Sequence, residues 1–214
     1  LLRKDIKKQF NIYGKNLKRM MHKLFPTLVA EYDLSDKVDN DLIMKKIKIS
    51  GLQMHGTLNK GVSSYMGGYD CALTRLAMTD LQNAIKECLD DYCKEVGLEE
   101  NVVVNSWCNI LKEGGSVKRH RHDKSVLSGA YYPSSDPDDC PLLIENPTEI
   151  FKMTETKVYD TEFNVSAIGV PTAKGKLVIW PSYLYHETQK NSSDERYTIS
   201  FNTLDKSYLN AIRN

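Results

Sequence analysis

The chain of 214 residues carries 29 Lys and Arg against 28 Asp and Glu, a net charge of +1, and 41% of its residues are hydrophobic. This length and composition suit one domain with a substantial core, and the balanced charge gives no signal for nucleic-acid or membrane binding. No apolar run has the length of a membrane span, and no signal peptide is visible, so we expect a cytoplasmic protein. The five cysteines form no CxxC pair, and we expect them to be free thiols.

The first predicted element is a basic amphipathic helix over residues 3–24. Its apolar residues recur at helical spacing, Gly14 weakens the pattern, and the helix ends before Pro26. We therefore divide the chain into a basic helical N-terminal segment, residues 1–25, and a single domain, residues 26–214.

Three shorter elements follow, and they are a strand, a short helix and a Gly-rich loop over residues 27–33, 38–48 and 51–70. The short helix has two candidate capping residues, Asp36 and Asp39. A longer helix begins at Thr79, presents one apolar stripe, and is expected to stop at Gly97.

Beyond this helix the sequence changes to short strands separated by turns. Eight strands are predicted, over residues 101–111, 117–122, 126–132, 141–145, 163–172, 176–180, 185–190 and 196–204. Eight strands after a helical layer are typical of a double-stranded β-helix, or jelly roll. We therefore predict a mainly β jelly-roll barrel with flanking helices, its N-terminal helices packed on one sheet and its core strands at about 101–204.

The most informative pattern in the sequence is a set of three histidines. His120 and His122 are two apart, so on a strand they would share a face and could bind the same ion. His186, at the end of a predicted strand, would add a third ligand. Three imidazoles suit Fe, Zn, Cu or Ni and leave open positions for substrates.

An arginine ten residues beyond His186 suggests the second component of the site. Arg196 lies on a predicted strand, and a guanidinium binds a carboxylate through two parallel hydrogen bonds. Strand alternation puts Arg196, Thr198, Ser200 and Asn202 on one face. The alternative is a surface ion pair of Arg196 with Asp194 or Glu195.

The chain at this point resembles the Fe(II)/2-oxoglutarate-dependent oxygenase superfamily, in the branch that carries an HxH metal pair. The resemblance lies in Trp107-x-Asn109 and in the segments HRHDKSVLSGAYY, GKLVIWPSYLYH and RYTISFN, which occur in the family's order over about residues 100–204.

The resemblance implies that His120, His122 and His186 hold Fe(II), and that Arg196 pairs with the distal carboxylate of 2-oxoglutarate. Tyr132 looks like the tyrosine that many relatives direct at the same carboxylate. Thr198 or Ser200 could assist Arg196, and Asn109 could reach the pocket. Most of the superfamily has a carboxylate at the middle ligand position, where this chain has His122. The adjacent Asp123 is the alternative ligand, but strand alternation directs it to the opposite face.

The expected activity is that of a dioxygenase, which uses dioxygen, decarboxylates 2-oxoglutarate to succinate and hydroxylates an unidentified substrate. Two alternatives stay open: a non-oxidative cupin-type metal jelly roll, and an inactive jelly-roll interaction protein. The expected partners are 2-oxoglutarate and the substrate, with a homodimer left open. The substrate-selecting residues are expected in loops at 51–75 and 146–162.

Overall fold

The structure is a computed structural model, and it describes residues 23–134, 140–148 and 155–213. Apart from its last two residues, the helix predicted over 3–24 lies outside the described residues. Within them, no helix is both long and apolar enough to cross a lipid bilayer.

The described residues include ten named strands and four named helices. The strands are β1 (Ala30–Asp33), β2 (Gln53–Met54), β3 (Leu58–Ser63), β4 (Asn101–Val117), β5 (Leu127–Ser134), β6 (Leu142–Glu145), β7 (Ala167–Val170), β8 (Lys176–Pro181), β9 (His186–Thr188) and β10 (Glu195–Asp205). The helices are α1 (Asn40–Lys48), α2 (Ala72–Arg75), α3 (Thr79–Val96) and α4 (Lys206–Arg213).

The strands form two antiparallel sheets. The large sheet has the order β1-β8-β5-β10-β4-β3-β2, and the small sheet has the order β7-β6-β9. The predicted jelly-roll class is confirmed, although the sheets do not close into one continuous barrel. Helices α1 and α3 pack on the large sheet, at β5 and at β4 and β8 respectively.

The alternation of side chains along β10 divides the interior into two regions. Tyr197, Ile199 and Phe201 belong to the apolar core between the large sheet and the helices. Arg196 and Asn202, on the opposite face, line a cavity between the two sheets. The predicted polar face of this strand is therefore confirmed, and it faces the interior of the protein.

The predicted ends of the long helix are confirmed, whereas α1 begins at Asn40 and not at residue 38. The carboxylate of Asp39 accepts a hydrogen bond from the backbone N–H of Leu42 at 3.0 Å, so Asp39, not Asp36, caps α1. Helix α3 begins at Thr79 and ends at Gly97, whose φ of 72° is readily adopted only by glycine.

Two predictions about secondary structure were wrong, and two helices were missed. The predicted loop over 51–70 contains the hairpin of β2 and β3, whose pattern is too polar to indicate strands. The strand predicted over 117–122 does not form, because β4 continues through Gly114 and Gly115 to Val117. A Cβ at Gly115 would lie 2.7 Å from the carbonyl oxygen of Lys112, so this glycine permits close backbone packing instead of ending the strand. Helices α2 and α4 were not predicted.

Candidate metal centre

Three histidine side chains converge at one end of the cavity. The candidate ligand nitrogens of His120, His122 and His186 all lie within 4.8 Å of one another. A pair of backbone hydrogen bonds fixes the first and last of these: His120 N–H donates to His186 O at 3.0 Å, and His186 N–H donates to His120 O at 2.8 Å. His122 is anchored in turn by its N–H, which donates to Ser182 O at 3.1 Å. Residues 120–122 form no regular strand, and these three backbone hydrogen bonds hold the histidines near one another instead.

Backbone carbonyls select the tautomer of two of these rings. His120 Nδ1 lies 2.8 Å from Lys118 O, and His186 Nδ1 lies 3.0 Å from Leu184 O. A carbonyl oxygen can only accept, so each Nδ1 must carry the proton. The Nε2 atom of each neutral ring therefore keeps a lone pair, as a metal ligand requires.

Burial keeps the three rings neutral. Loss of hydration, together with the smaller effect of the neighbouring imidazoles, lowers the pKa of His122 to about 4 and that of His186 to about 3. The pKa of His120 is also lowered, chiefly by loss of hydration. Three neutral imidazoles that converge within bonding reach of one point fit a divalent transition metal.

The cavity has a volume of about 600 Å³ and lies between the two sheets. Its polar wall includes all five residues predicted to bind a co-substrate, and these are Arg196, Tyr132, Thr198, Ser200 and Asn109. Asn109 and Ser200 also contact each other across β4 and β10, with Asn109 Nδ2 3.5 Å from Ser200 Oγ.

Arg196 is the most deeply buried charged residue of this wall, with 1% of its surface exposed. Its Nη1 donates to Cys140 Sγ at 3.2 Å and its Nη2 to Thr172 Oγ1 at 3.3 Å, while its Nε has no hydrogen-bond partner. No ion pair among the described residues includes Arg196. The alternative of a surface ion pair does not hold, because Glu195 pairs with Lys112 instead. A buried guanidinium with an unpaired donor fits an anionic ligand.

Tyr132 lies against this guanidinium, with Arg196 Cζ 4.9 Å from the centre of its ring. Complete burial raises the pKa of Tyr132 to about 12, although the charge of Arg196 acts in the opposite direction. The phenol therefore stays protonated at neutral pH and can donate a hydrogen bond.

Asp123, the alternative metal ligand, does not join the histidine cluster. Its carboxylate forms an ion pair with Arg121, with 3.1 Å between Oδ1 and Nε, and 76% of its side chain is exposed. The geometry favours His122 in the middle ligand position.

Several residues of the site escaped sequence analysis. Cys140 and Thr172, which contact Arg196, lie in segments without a motif. Trp107 also belongs to the site, because its buried ring stacks on that of His122, with the ring centres 5.5 Å apart and the planes at 18°. Its position beside Asn109 in the motif Trp107-x-Asn109 was the available signal.

Comparison with known families supports this geometry. The sequence model of the family described as "Putative 2OG-Fe(II) oxygenase" matches residues 105–202, which include the three histidines and Arg196. The match confirms the resemblance that the sequence motifs indicate. Among curated proteins, none matches this chain.

Solved structures share the fold. An oxidoreductase of the 2OG-Fe(II) oxygenase family from Burkholderia pseudomallei is 8% identical, with a TM-score of 0.57 over 82% of this chain and 83% of its own. HygX from Streptomyces hygroscopicus, with nickel and 2-oxoglutarate bound, is 12% identical, with a TM-score of 0.53 and 84% of each chain covered. A Trichoplax adhaerens prolyl hydroxylase in complex with a hypoxia inducible factor peptide is also 12% identical, with a TM-score of 0.52 and 84% of each chain covered.

Proposed function

Because residues 105–202 of this chain match the sequence model of the 2OG-Fe(II) oxygenase family, we propose that the protein is an Fe(II)- and 2-oxoglutarate-dependent dioxygenase. It decarboxylates 2-oxoglutarate to succinate and hydroxylates a substrate that is still unidentified. The proposal rests above all on one observation. A cluster of three neutral imidazoles and a buried arginine without a carboxylate partner among the described residues line the same cavity.

His120, His122 and His186 would hold the metal in this proposal. Fe(II) supplies, when bound, the dioxygen and one-electron chemistry that amino-acid side chains lack. A set of three neutral ligands leaves the full positive charge of the ion to attract the carboxylate of the co-substrate.

Arg196 would bind the distal carboxylate of 2-oxoglutarate through its planar donor fork. Its partners on the protein are the Cys140 thiol, which itself donates to Gln189 O at 2.9 Å, and the Thr172 hydroxyl, so no carboxylate among the described residues competes with the ligand for the guanidinium. Tyr132 would donate its phenolic proton to the same carboxylate, and Thr198 and Ser200 would line the path between Arg196 and the metal.

The apolar part of the cavity wall would also strengthen the binding of the co-substrate. Trp107, Trp180 and Leu142 supply an apolar wall beside the histidines. In a site of low polarity, the attraction between a cation and a bound carboxylate is stronger than in water.

The ligands of similar proteins support 2-oxoglutarate but leave the substrate open. HygX has been solved with nickel, 2-oxoglutarate and hygromycin B, whereas the Trichoplax adhaerens enzyme holds a peptide. An antibiotic and a peptide on the same fold show that the fold does not determine the substrate.

The proposal is tested by two measurements on the full chain. Under anaerobic conditions, addition of Fe(II) and then 2-oxoglutarate should produce a visible absorption band that requires both. In air, the loaded protein should convert 2-oxoglutarate to succinate, even slowly without substrate. Stoichiometric metal binding with neither band nor succinate would contradict the proposal and favour a cupin-type or inactive jelly roll.

A further inference from the structure

Outside the cavity, the residues that precede two of the candidate ligands contact each other. Arg119 comes directly before His120, and Tyr185 comes directly before His186. The guanidinium of Arg119 lies over the ring of Tyr185, with its Cζ 3.7 Å from the ring centre. Neither residue lines the cavity, so this contact joins the two ligand-bearing segments from outside.

The same guanidinium binds a carboxylate on the small sheet. Arg119 Nε donates to Glu145 Oε1 at 2.5 Å, and Arg119 Nη2 donates to Glu145 Oε2 at 2.7 Å. Two parallel charge-assisted hydrogen bonds fix the orientation of both groups. Glu145 ends β6, and its backbone N–H donates to Tyr185 O at 2.9 Å. Arg119 therefore links the segment before His120 to the small sheet through both Glu145 and Tyr185.

The backbone contact beside this arrangement is small. His120 and His186 form an isolated antiparallel bridge with two hydrogen bonds, which is not part of a longer ladder. Strand β9, which begins at His186, has three residues and pairs with β6, where Ile144 lies opposite His186. A short pairing of this kind opens more readily than the centre of a long sheet. Side-chain contacts that hold its two segments together can therefore shift its opening equilibrium.

The geometry of the ion pair matters more here than its charge. The side chain of Arg119 is 50% exposed and that of Glu145 is 29% exposed, and exposed ion pairs usually contribute little. A bidentate pair between arginine and a carboxylate is an exception. The ring of Tyr185 adds a cation–π contact on the face of the guanidinium.

Arg121, on the other side of His120, makes no comparable link among the described residues. Its Cζ lies 5.1 Å from the ring centre of Tyr185, and its ion pair is with Asp123 of the same segment. An ion pair between residues two apart along the chain connects no separate segments. Arg121 therefore matches Arg119 in side-chain type and in position beside the ligands, but not in the link to β6.

We propose that Arg119, Glu145 and Tyr185 are positioning residues, together an outer clasp, which holds the bridge between His120 and His186 closed and so fixes these two metal ligands relative to each other. This inference rests on the proposed function, because it assumes that the histidines bind a metal. The outer clasp does not contact the metal and acts through the backbone of the two ligands.

The first test needs neither metal nor co-substrate, so it is independent of the proposed function. Amide hydrogen exchange of the metal-free full chain, followed by NMR, reports the opening of the bridge at the N–H groups of His120 and His186. Arg119→Met keeps the apolar stem and removes the guanidinium, and it should speed the exchange of both amides by roughly 3- to 30-fold. The amides at the centre of β10 should exchange as in the native protein. Unchanged exchange at both histidines would refute the outer clasp.

The second test measures the affinity of the full chain for Co(II) alone. Arg119→Met and Glu145→Gln should each weaken Co(II) binding, the first by roughly 3- to 30-fold. The double variant should bind no more weakly than Arg119→Met, because the two substitutions remove the same contact. Arg119→Lys, which keeps the charge without the donor fork, should fall between the native protein and Arg119→Met. Additive losses from the two substitutions would overturn the proposal.

The matched control is Arg121→Met, which should change both the exchange and the Co(II) affinity by less than about twofold. A direct electrostatic effect of either arginine would act in the opposite direction, since removal of a positive charge favours the binding of a cation. An equal loss of affinity in Arg121→Met would overturn the proposal.

The two tests together separate this inference from the proposed function. Faster exchange in Arg119→Met with native Co(II) affinity would make the outer clasp a merely structural contact and overturn its role at the ligands. If the native chain binds no Co(II), the proposed function fails, whereas the exchange test still decides whether the outer clasp holds the bridge. If Arg119→Met does not fold, Glu145→Gln takes its place in both measurements.

Discussion

Replacement of Arg196 by methionine tests the co-substrate assignment most directly. The side chain of Met follows the apolar stem of Arg and removes only the guanidinium. Arg196 is 1% exposed, and its partners among the described residues are neutral: Cys140, Thr172 and the ring of Tyr132. No carboxylate among these residues therefore pairs with the guanidinium. Removal of the guanidinium does not leave a buried carboxylate without its partner.

Two effects of opposite sign follow. A charge-assisted hydrogen bond contributes about 1.5–3 kcal/mol, and a bidentate carboxylate takes two. Loss of the guanidinium should therefore weaken 2-oxoglutarate binding by roughly 10²- to 10⁴-fold. The metal-free protein should instead keep its stability or gain some, because burial of an uncompensated charge is unfavourable.

Thermal unfolding with and without ligand measures both effects. A ligand at 100 times its Kd stabilises the folded state by about 2.7 kcal/mol, which raises the Tm by roughly 5–10 °C in a domain of this size. We expect this increase with 2-oxoglutarate for the Co(II)-loaded native protein and none for Arg196→Met. Arg196→Lys keeps the charge without the donor fork and should show an intermediate increase.

Co(II) binding should be nearly unchanged in Arg196→Met, because the guanidinium is not among the candidate metal ligands. If Co(II) and 2-oxoglutarate affinities fall together, or if the Tm of the metal-free variant drops sharply, Arg196 is a structural residue and the co-substrate assignment is refuted.

Three further predictions concern the histidines and the packing of the large sheet. His186→Ala should abolish stoichiometric Co(II) binding, and a retained single ion, measured by equilibrium dialysis, would remove this residue from the ligand set. The metal-free protein should lose stability as the pH falls below 6.5. In the unfolded chain the imidazoles then take up protons, whereas in the folded protein burial keeps the pKa of His122 at about 4 and that of His186 at about 3. Urea unfolding at pH 7 and pH 5 measures this loss, and equal free energies of unfolding at the two pH values would contradict it. Gly129→Ala should cost about 1–3 kcal/mol in urea unfolding, because its Cβ would lie 2.2 Å from Phe201 Cζ. The control Gly169→Ala, whose Cβ would meet nothing closer than 3.5 Å, should stay near native stability, and similar values for the two variants would count against the packing argument.

The periodicity of β10 was sufficient to predict its two faces. Side chains alternate along any strand, and polar residues alternate with apolar ones from Arg196 to Asn202. The same rule excluded Asp123 from the face of His122, although the HxH pair lies beyond the end of β4 and not within a strand. The exclusion of Asp123 agrees with the structure, but the strand on which the prediction relied does not form there. The backbone bridge to His186 and the bond to Ser182 O, not a strand, set the orientation of the pair.

The candidate metal ligands and Arg196 could be predicted from the sequence alone, since ligand type and order along the chain are local properties that motifs preserve. The two ends of α3 could be predicted for the same reason, because a helix end depends on a few neighbouring residues. The surroundings of these residues, in contrast, depend on contacts between distant parts of the chain. Cys140 and Thr172 reach Arg196 from 56 and 24 residues away, and Ser128 reaches Asn202 across 74. Such contacts arise from the pairing and stacking of the two sheets, and no spacing in the sequence specifies which distant side chains then meet.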